Sequence, residues 1–120
     1  MKLDLNKPIA IYDYNEKATM QAANGHTFLG PVVDRDRILM TTHCSVLNLT
    51  HQGTKLSIGK RDAAGRDHFI KTIEAPNAYQ VTIAGHIMLE EGERPLGVVE
   101  GAANGDELFC TFHGHIYKMD

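Results

Sequence analysis

The stretch Ile38-Leu39-Met40-Thr41-Thr42-His43-Cys44-Ser45-Val46-Leu47-Asn48-Leu49 decides the fold. On an extended chain, side chains two apart share a face. Read that way it is the longest strand candidate, with Ile38, Met40, Cys44 and Val46 on one face. Upstream, Asp34-Arg35-Asp36 is a polar turn. Before it, the apolar run Thr27 to Val33 is interrupted by Gly30-Pro31, which marks a bend or an edge. Downstream, His51-Gln52-Gly53 is expected to close a hairpin into Thr54-Lys55-Leu56-Ser57-Ile58.

The same reading extends to both ends. Ile9, Ile11, Tyr12 and Tyr14 make a short strand, followed by a turn at Asn15-Glu16-Lys17. Ala18 to Ala23 fits either a short helix capped by Asn15 or a strand, and its alternation of Ala18, Met20 and Ala22 favours a strand. Lys60 to Asp67 reads as an exposed loop, after which Phe69, Ile70 and Ile73 resume apolar character up to a turn at Pro76-Asn77. Tyr79, Val81 and Ile83 alternate with polar residues as a half-buried strand does. Ile87 to Leu89, Leu96 to Val99 and Leu108 to Met119 complete the set, separated by the acidic turn Glu90-Glu91-Gly92-Glu93 and the Gly-containing turn Ala102 to Asp106. No long stretch shows a 3.6-residue apolar period. The expected fold is all-β: a small single-domain β-sandwich or barrel, β-tulip or jelly-roll-like, with roughly eight to ten short strands and at most one short helix.

Length and composition bound the function. A chain of 120 residues holds one domain, and 42% hydrophobic with 22% charged residues is the balance of an ordinary globular protein. The formal charge is −3 with both signs mixed along the chain, and no basic stripe is present, so nucleic acid is not an expected partner. Apolar runs fall far short of the ~20 residues a helical membrane span needs, so no membrane partner is expected. The N-terminus has no apolar core of a secretion signal. Cys44 and Cys110 lack the spacing of a zinc or redox site and read as two buried thiols in a reducing compartment. The division is an N-terminal arm over 1–8, carrying Leu3, Leu5 and Pro8, and a single β domain over 9–120. Such an arm suits strand addition to an exposed edge of a neighbouring subunit.

Seven histidines stand out: His26, His43, His51, His68, His86, His113 and His115. In His113-Gly114-His115 the two imidazoles project from one face of the last strand, together with Phe109, Thr111 and Tyr117, while Leu108, Cys110, Phe112 and Ile116 take the core face. His113, His115 and Tyr117 are therefore the candidate binding or interface face. A metal would need a third ligand from another strand, His43 or His86, and no spacing rule chooses between them. The alternative for this face is a polar surface or a subunit contact. No cofactor and no catalytic residue is assigned. The carboxylates Glu90, Glu91, Glu93, Asp34 and Asp36 sit at turns, where solvated charge is the ordinary role.

Two resemblances follow from particular residues. Ile38-Leu39-Met40-Thr41-Thr42-His43-Cys44 is similar to the strand that carries the general base in trypsin-like serine proteases, and His86-Ile87-Met88-Leu89 lies about where those enzymes carry an aspartate. Here that position is a histidine and no Gly-Asp-Ser-Gly follows, so the resemblance implies at most an inactive half-barrel. More of the chain resembles virion structural proteins of tailed bacteriophages, above all capsid decoration (cement) proteins. The residues that carry it are Thr54-Lys55-Leu56-Ser57-Ile58-Gly59 with Asp67-His68-Phe69-Ile70, and Arg94-Pro95-Leu96-Gly97-Val98-Val99 with Ala102-Ala103-Asn104-Gly105-Asp106. That resemblance implies a non-enzymatic homo-oligomer, a trimer by preference, bound to the major capsid protein or another virion subunit. It implies a protein made in the host cytoplasm and located in the virion. The other expectation kept open is a small β-barrel module that binds a ligand or metal through His113 and His115.

Overall fold

The computed structural model describes residues 7–21, 24–50, 55–74 and 79–119. Among them are nine strands and no helix: β1 (Ala10–Thr19), β2 (Asn24–Leu29), β3 (Arg37–Asn48), β4 (Lys55–Arg61), β5 (Asp67–Glu74), β6 (Gln80–Ile83), β7 (Met88–Leu89), β8 (Arg94–Ala102) and β9 (Glu107–Lys118). They form two antiparallel sheets. One has the order β1-β9-β3-β6, with the short β7 also paired to β3, and the other has the order β2-β8-β4-β5. The all-β expectation holds, and the arrangement is a sandwich.

The sheets meet through alternate side chains. Leu39, Cys44, Val46, Leu108, Cys110 and Phe112 from one sheet pack in one cluster with Phe28, Leu56, Ile58 and Val99 from the other. Burial of each large apolar side chain contributes about 1.5–3 kcal/mol. The contact is close enough to exclude a side chain at Gly97: a Cβ there would lie 2.7 Å from Val46 Cγ2 and 3.0 Å from Cys110 Sγ. The face assignment of β9 is as the alternation predicts, with Leu108, Cys110 and Phe112 fully buried and His113, His115 and Tyr117 half-buried.

Several expectations need correction. Asn15-Glu16-Lys17 is not a turn; β1 continues through it, with Asn15 opposite Thr111, Glu16 opposite Cys110 and Lys17 opposite Phe109. β1 is an edge strand, and one face of it meets water, so polar residues are tolerated there. Ala18 and Thr19 belong to the same strand, while 22–23 lie outside the described residues. The face predicted for β3 is also wrong in its first half. Register shifts between Thr41 and His43, so Thr42 is the extra residue of a β-bulge. Leu39 joins the core before the bulge and Cys44 and Val46 after it, which turns Ile38 and Met40 to the outer face. The hairpin expected around His51-Gln52-Gly53 is not formed by the strands it would join. β3 pairs with β9, β6 and β7, whereas β4 pairs with β5 and β8 in the other sheet. Residues 51–54 and the turn at Pro76-Asn77 lie outside the described residues. The loop expected over Lys60 to Asp67 is shorter: Lys60 and Arg61 belong to β4 and Asp67 to β5.

Buried polar groups fasten the strand ends. Asn48 Nδ2 donates to Asp106 Oδ2 (2.9 Å), and Ala103 N donates to the same oxygen (2.9 Å), which ties the end of β3 to the turn before β9. Tyr12 donates its phenol to the Pro31 carbonyl at 2.8 Å, anchoring β1 to the segment that follows β2.

Candidate functional site

The outer face of the five-stranded sheet carries the predicted binding residues. It is built in rows by strand register. Asp13 of β1 stands opposite His113 of β9, which stands opposite His43 of β3. One row along, Ile11 faces His115, which faces Met40. Tyr117 lies opposite Ile38. On the other side of the histidine row, Ser45 and Thr111 share a buried hydroxyl–hydroxyl hydrogen bond of 2.8 Å.

His113 is the most connected of these groups. Its Nε2 lies 3.0 Å from Asp13 Oδ1 and 3.0 Å from Asn15 Oδ1, so it donates toward a pair of oxygens on β1. Asn15 Nδ2 in turn donates to Asp13 Oδ1 at 2.8 Å, holding the carboxylate in place. Toward β3, the His43 and His113 ring centroids are 6.2 Å apart with planes inclined at 37°. Thr42, the bulged residue, donates its hydroxyl to the His113 carbonyl at 3.3 Å. The glycine between the two histidines has a structural reason. A Cβ on Gly114 would press on the Met40 carbonyl oxygen and lie 2.8 Å from Thr41 Cα, so only glycine lets the bulged β3 approach β9 this closely.

Of the two histidines considered as a third partner, the structure brings His43 beside His113. His86 is engaged elsewhere, its Nδ1 donating to the Thr41 carbonyl at 3.0 Å. His68 pairs with Asp62 Oδ2 at 2.8 Å on the β4–β5 hairpin, and His26 packs edge-on to Phe28. Among the described residues no group of three or more His, Cys, Asp or Glu side chains is gathered to hold a metal ion. Cys44 and Cys110 are buried free thiols; burial pushes Cys44 up to about 11 and raises Cys110 further, so neither is a ready thiolate. Leu3 and Leu5 of the arm lie outside the described residues, and Pro8 is exposed.

Sequence reasoning did not find two other features. One is the edge strand β5, exposed along its length except at Ile73, with Phe69 53% and Ile70 51% exposed. Register shifts at Ile58/Gly59, and Ile70 is the unpaired residue of that bulge. The adjacent apolar pair Phe69-Ile70, which breaks strand alternation, was the signal for it. The other is an open groove of about 460 Å³ between β1 and the segment after β2, lined by Ile9, Ile11, Tyr12, Pro31, Val32 and Ile116 among others. Ile11 is 77% exposed at its rim.

No protein-family model matches the chain, and no curated protein matches it. Solved structures share its outline at low similarity. The Drosophila NLP core is 12% identical with a TM-score of 0.45, over 88% of this chain and 97% of that one. The pre-peptidase C-terminal domain of collagenase from Bacillus anthracis is 17% identical with a TM-score of 0.46, over 85% of this chain and 89% of that one. A chain of infectious bursal disease virus Gx strain is 15% identical with a TM-score of 0.40; the match takes in 93% of this chain and 32% of the viral one. At these identities and TM-scores the likenesses assign neither a family nor a function.

Proposed function

We propose that the chain is a non-enzymatic structural subunit that self-associates head to tail into a closed ring, a trimer. In this reading it decorates a repetitive shell, as capsid decoration proteins of tailed bacteriophages do, with the major capsid protein as its partner and the virion as its location. The observation that carries the reading is the state of β5. An edge strand presents unpaired backbone donors and acceptors, and natural proteins ordinarily blunt such edges. β5 carries two such devices, the bulge at Ile70 and the adjacent Lys71, yet it leaves Phe69 and Ile70 exposed at the edge of the sheet. A ring requires two different, complementary surfaces on each copy. The groove beside β1, with Ile9, Ile11 and Val32 exposed along it, offers the second. The aromatic and aliphatic tips of β5 from one copy would fill the groove of the next.

Native mass spectrometry of the full chain tests self-association. The expected result is a trimer that Phe69→Lys or Ile11→Lys converts to monomer with the β circular-dichroism signal retained. A wild-type monomer at micromolar concentration overturns the reading. Co-sedimentation with head shells lacking their decoration protein tests the finer part; a trimer that stays in the supernatant would remove the decoration role.

A further inference from the structure

We propose that His43 and His113 form a cross-strand chelate for one borderline divalent transition ion of the Zn²⁺, Ni²⁺ or Cu²⁺ class, with Asp13 as the carboxylate that orients His113. The inference stands on the sheet of a single copy and is independent of self-association.

Three observations support it. First, the two residues face each other directly in the β3–β9 register, so the backbone and not a flexible loop sets their separation. Second, that separation suits a shared ion. With metal–nitrogen bonds of about 2.0–2.1 Å, an ion lies about 3.2 Å from each ring centroid, so two imidazoles on one ion have centroids within about 6.4 Å. The rings stand at 6.2 Å. Closing to a tetrahedral angle brings the centroids to about 5.2 Å, a movement that rotation of these half-buried side chains supplies. Third, His113 already has the outer contact that metal-bound histidines use. A ligating imidazole normally donates its second nitrogen to a carboxylate or carbonyl, which fixes the tautomer and raises basicity. Here Nε2 lies 3.0 Å from both Asp13 Oδ1 and Asn15 Oδ1, contacts that in the neutral imidazole place the proton on Nε2 and leave Nδ1 as the nitrogen for the ion.

The type of ion follows from the donors. Two neutral imidazoles without an oxygen cage select against calcium and magnesium, which take oxygen ligands, and favour the imidazole-binding first-row ions. Water fills the remaining positions, so the site is open on the solvent side. The bulge at Thr42 and the glycine at 114 acquire a role in this account, since they let β3 sit close to β9 where His43 meets His113.

The test is calorimetric titration of the chelator-washed full chain with zinc chloride, repeated with copper(II) followed by electron paramagnetic resonance to count nitrogen ligands. One ion per chain with two nitrogen ligands is expected. His43→Ala and His113→Ala should each abolish binding, His68→Ala on the β4–β5 hairpin of the other sheet should leave it unchanged, and Asp13→Asn should weaken it about 10- to 100-fold. Thermal unfolding of every variant in chelator checks the fold, and His43→Gln and His113→Gln replace any alanine variant that does not fold. Absence of stoichiometric binding overturns the proposal. So does a loss in His68→Ala equal to that in His43→Ala.

Discussion

Thr41 and Gly114 face each other across β3 and β9 with no room between them for a methyl group. This closeness joins the bulge of one strand to the glycine of the other. Gly114→Ala should therefore destabilise the protein by about 1–3 kcal/mol, the cost of overpacking a close approach. Urea unfolding would show a lower midpoint with an unchanged slope. Gly65→Ala is an unsuitable control, because its φ of +85° introduces backbone strain of its own. Gly85→Ala, with nothing near its Cβ position and no such φ, should be close to neutral.

The Asn48–Asp106 contact should be among the costliest polar pairs to break. Both residues are fully buried, and Asp106 also accepts from the Ala103 amide. Asp106→Ala leaves buried donors without their acceptor and should cost about 3 kcal/mol. Chemical denaturation monitored by tyrosine fluorescence measures it. A change under half a kcal/mol would show that water replaces the carboxylate at no cost.

Stability should decline on the alkaline side. Burial, the largest cause in each case, raises Cys44 from 9.0 to about 11 and Tyr14 from 10.0 to about 12, and raises Tyr12 and Cys110 as well. A group raised in the folded state keeps its proton where the unfolded chain has already lost it. The stabilisation is thus complete below about pH 9 and drains away as pH rises from there toward about 12. Urea midpoints at pH 7, 9 and 10.5 should fall in that order, and Cys110→Ala should flatten the fall.

The β4–β5 hairpin should respond to acid instead. Asp62 is held down at about 2, first by the hydrogen bond with His68 and then by the Arg66 amide, with the Ala64 amide adding to them. A lowered carboxylate contributes above its unfolded value of 3.8 and is lost as pH falls toward about 2. Protection of the Ala64 and Arg66 amides, taken relative to the intrinsic exchange rate at each pH, should fall across that range, and Asp62→Ala should show the same loss of protection at neutral pH. Equal exchange in the two proteins would mean that the turn holds its shape without the side chain.

Periodicity made β9 legible: Leu108, Cys110 and Phe112 alternate cleanly with Phe109, Thr111 and His113, and both faces came out as expected. β1 was half hidden because Asn15, Glu16 and Lys17 look like a turn, yet an edge strand needs no apolar residue on its wet face. The first half of β3 was misassigned because a single inserted residue, Thr42, inverts every side chain before it, and Thr-Thr carries no mark of a bulge. His113, His115 and Tyr117 could be placed on one face from the sequence. Asp13 and His43 could not be placed beside His113, because the order β1-β9-β3 joins residues 100 and 70 positions apart and no local pattern encodes it. Phe69 and Ile70 are plainly apolar in the sequence, but whether a strand lies at an edge is decided by the other strands of its sheet.

The pairing of β1 with β9 also sets a timetable. β1 ends at Thr19, and its ladder partner begins at Glu107. At synthesis rates of about 5–20 residues per second, that interval lasts about 4–18 s on the ribosome. Throughout it the emerging chain carries β1 without the strand that completes it, and β3 without its largest neighbour. The five-stranded sheet therefore cannot close before β9 has been made, and nascent copies on one messenger are open to wrong pairing until then. Slow codons ahead of Glu107 would lengthen that exposure, and a chaperone that shields β1 would have its chief use before Lys118 is added.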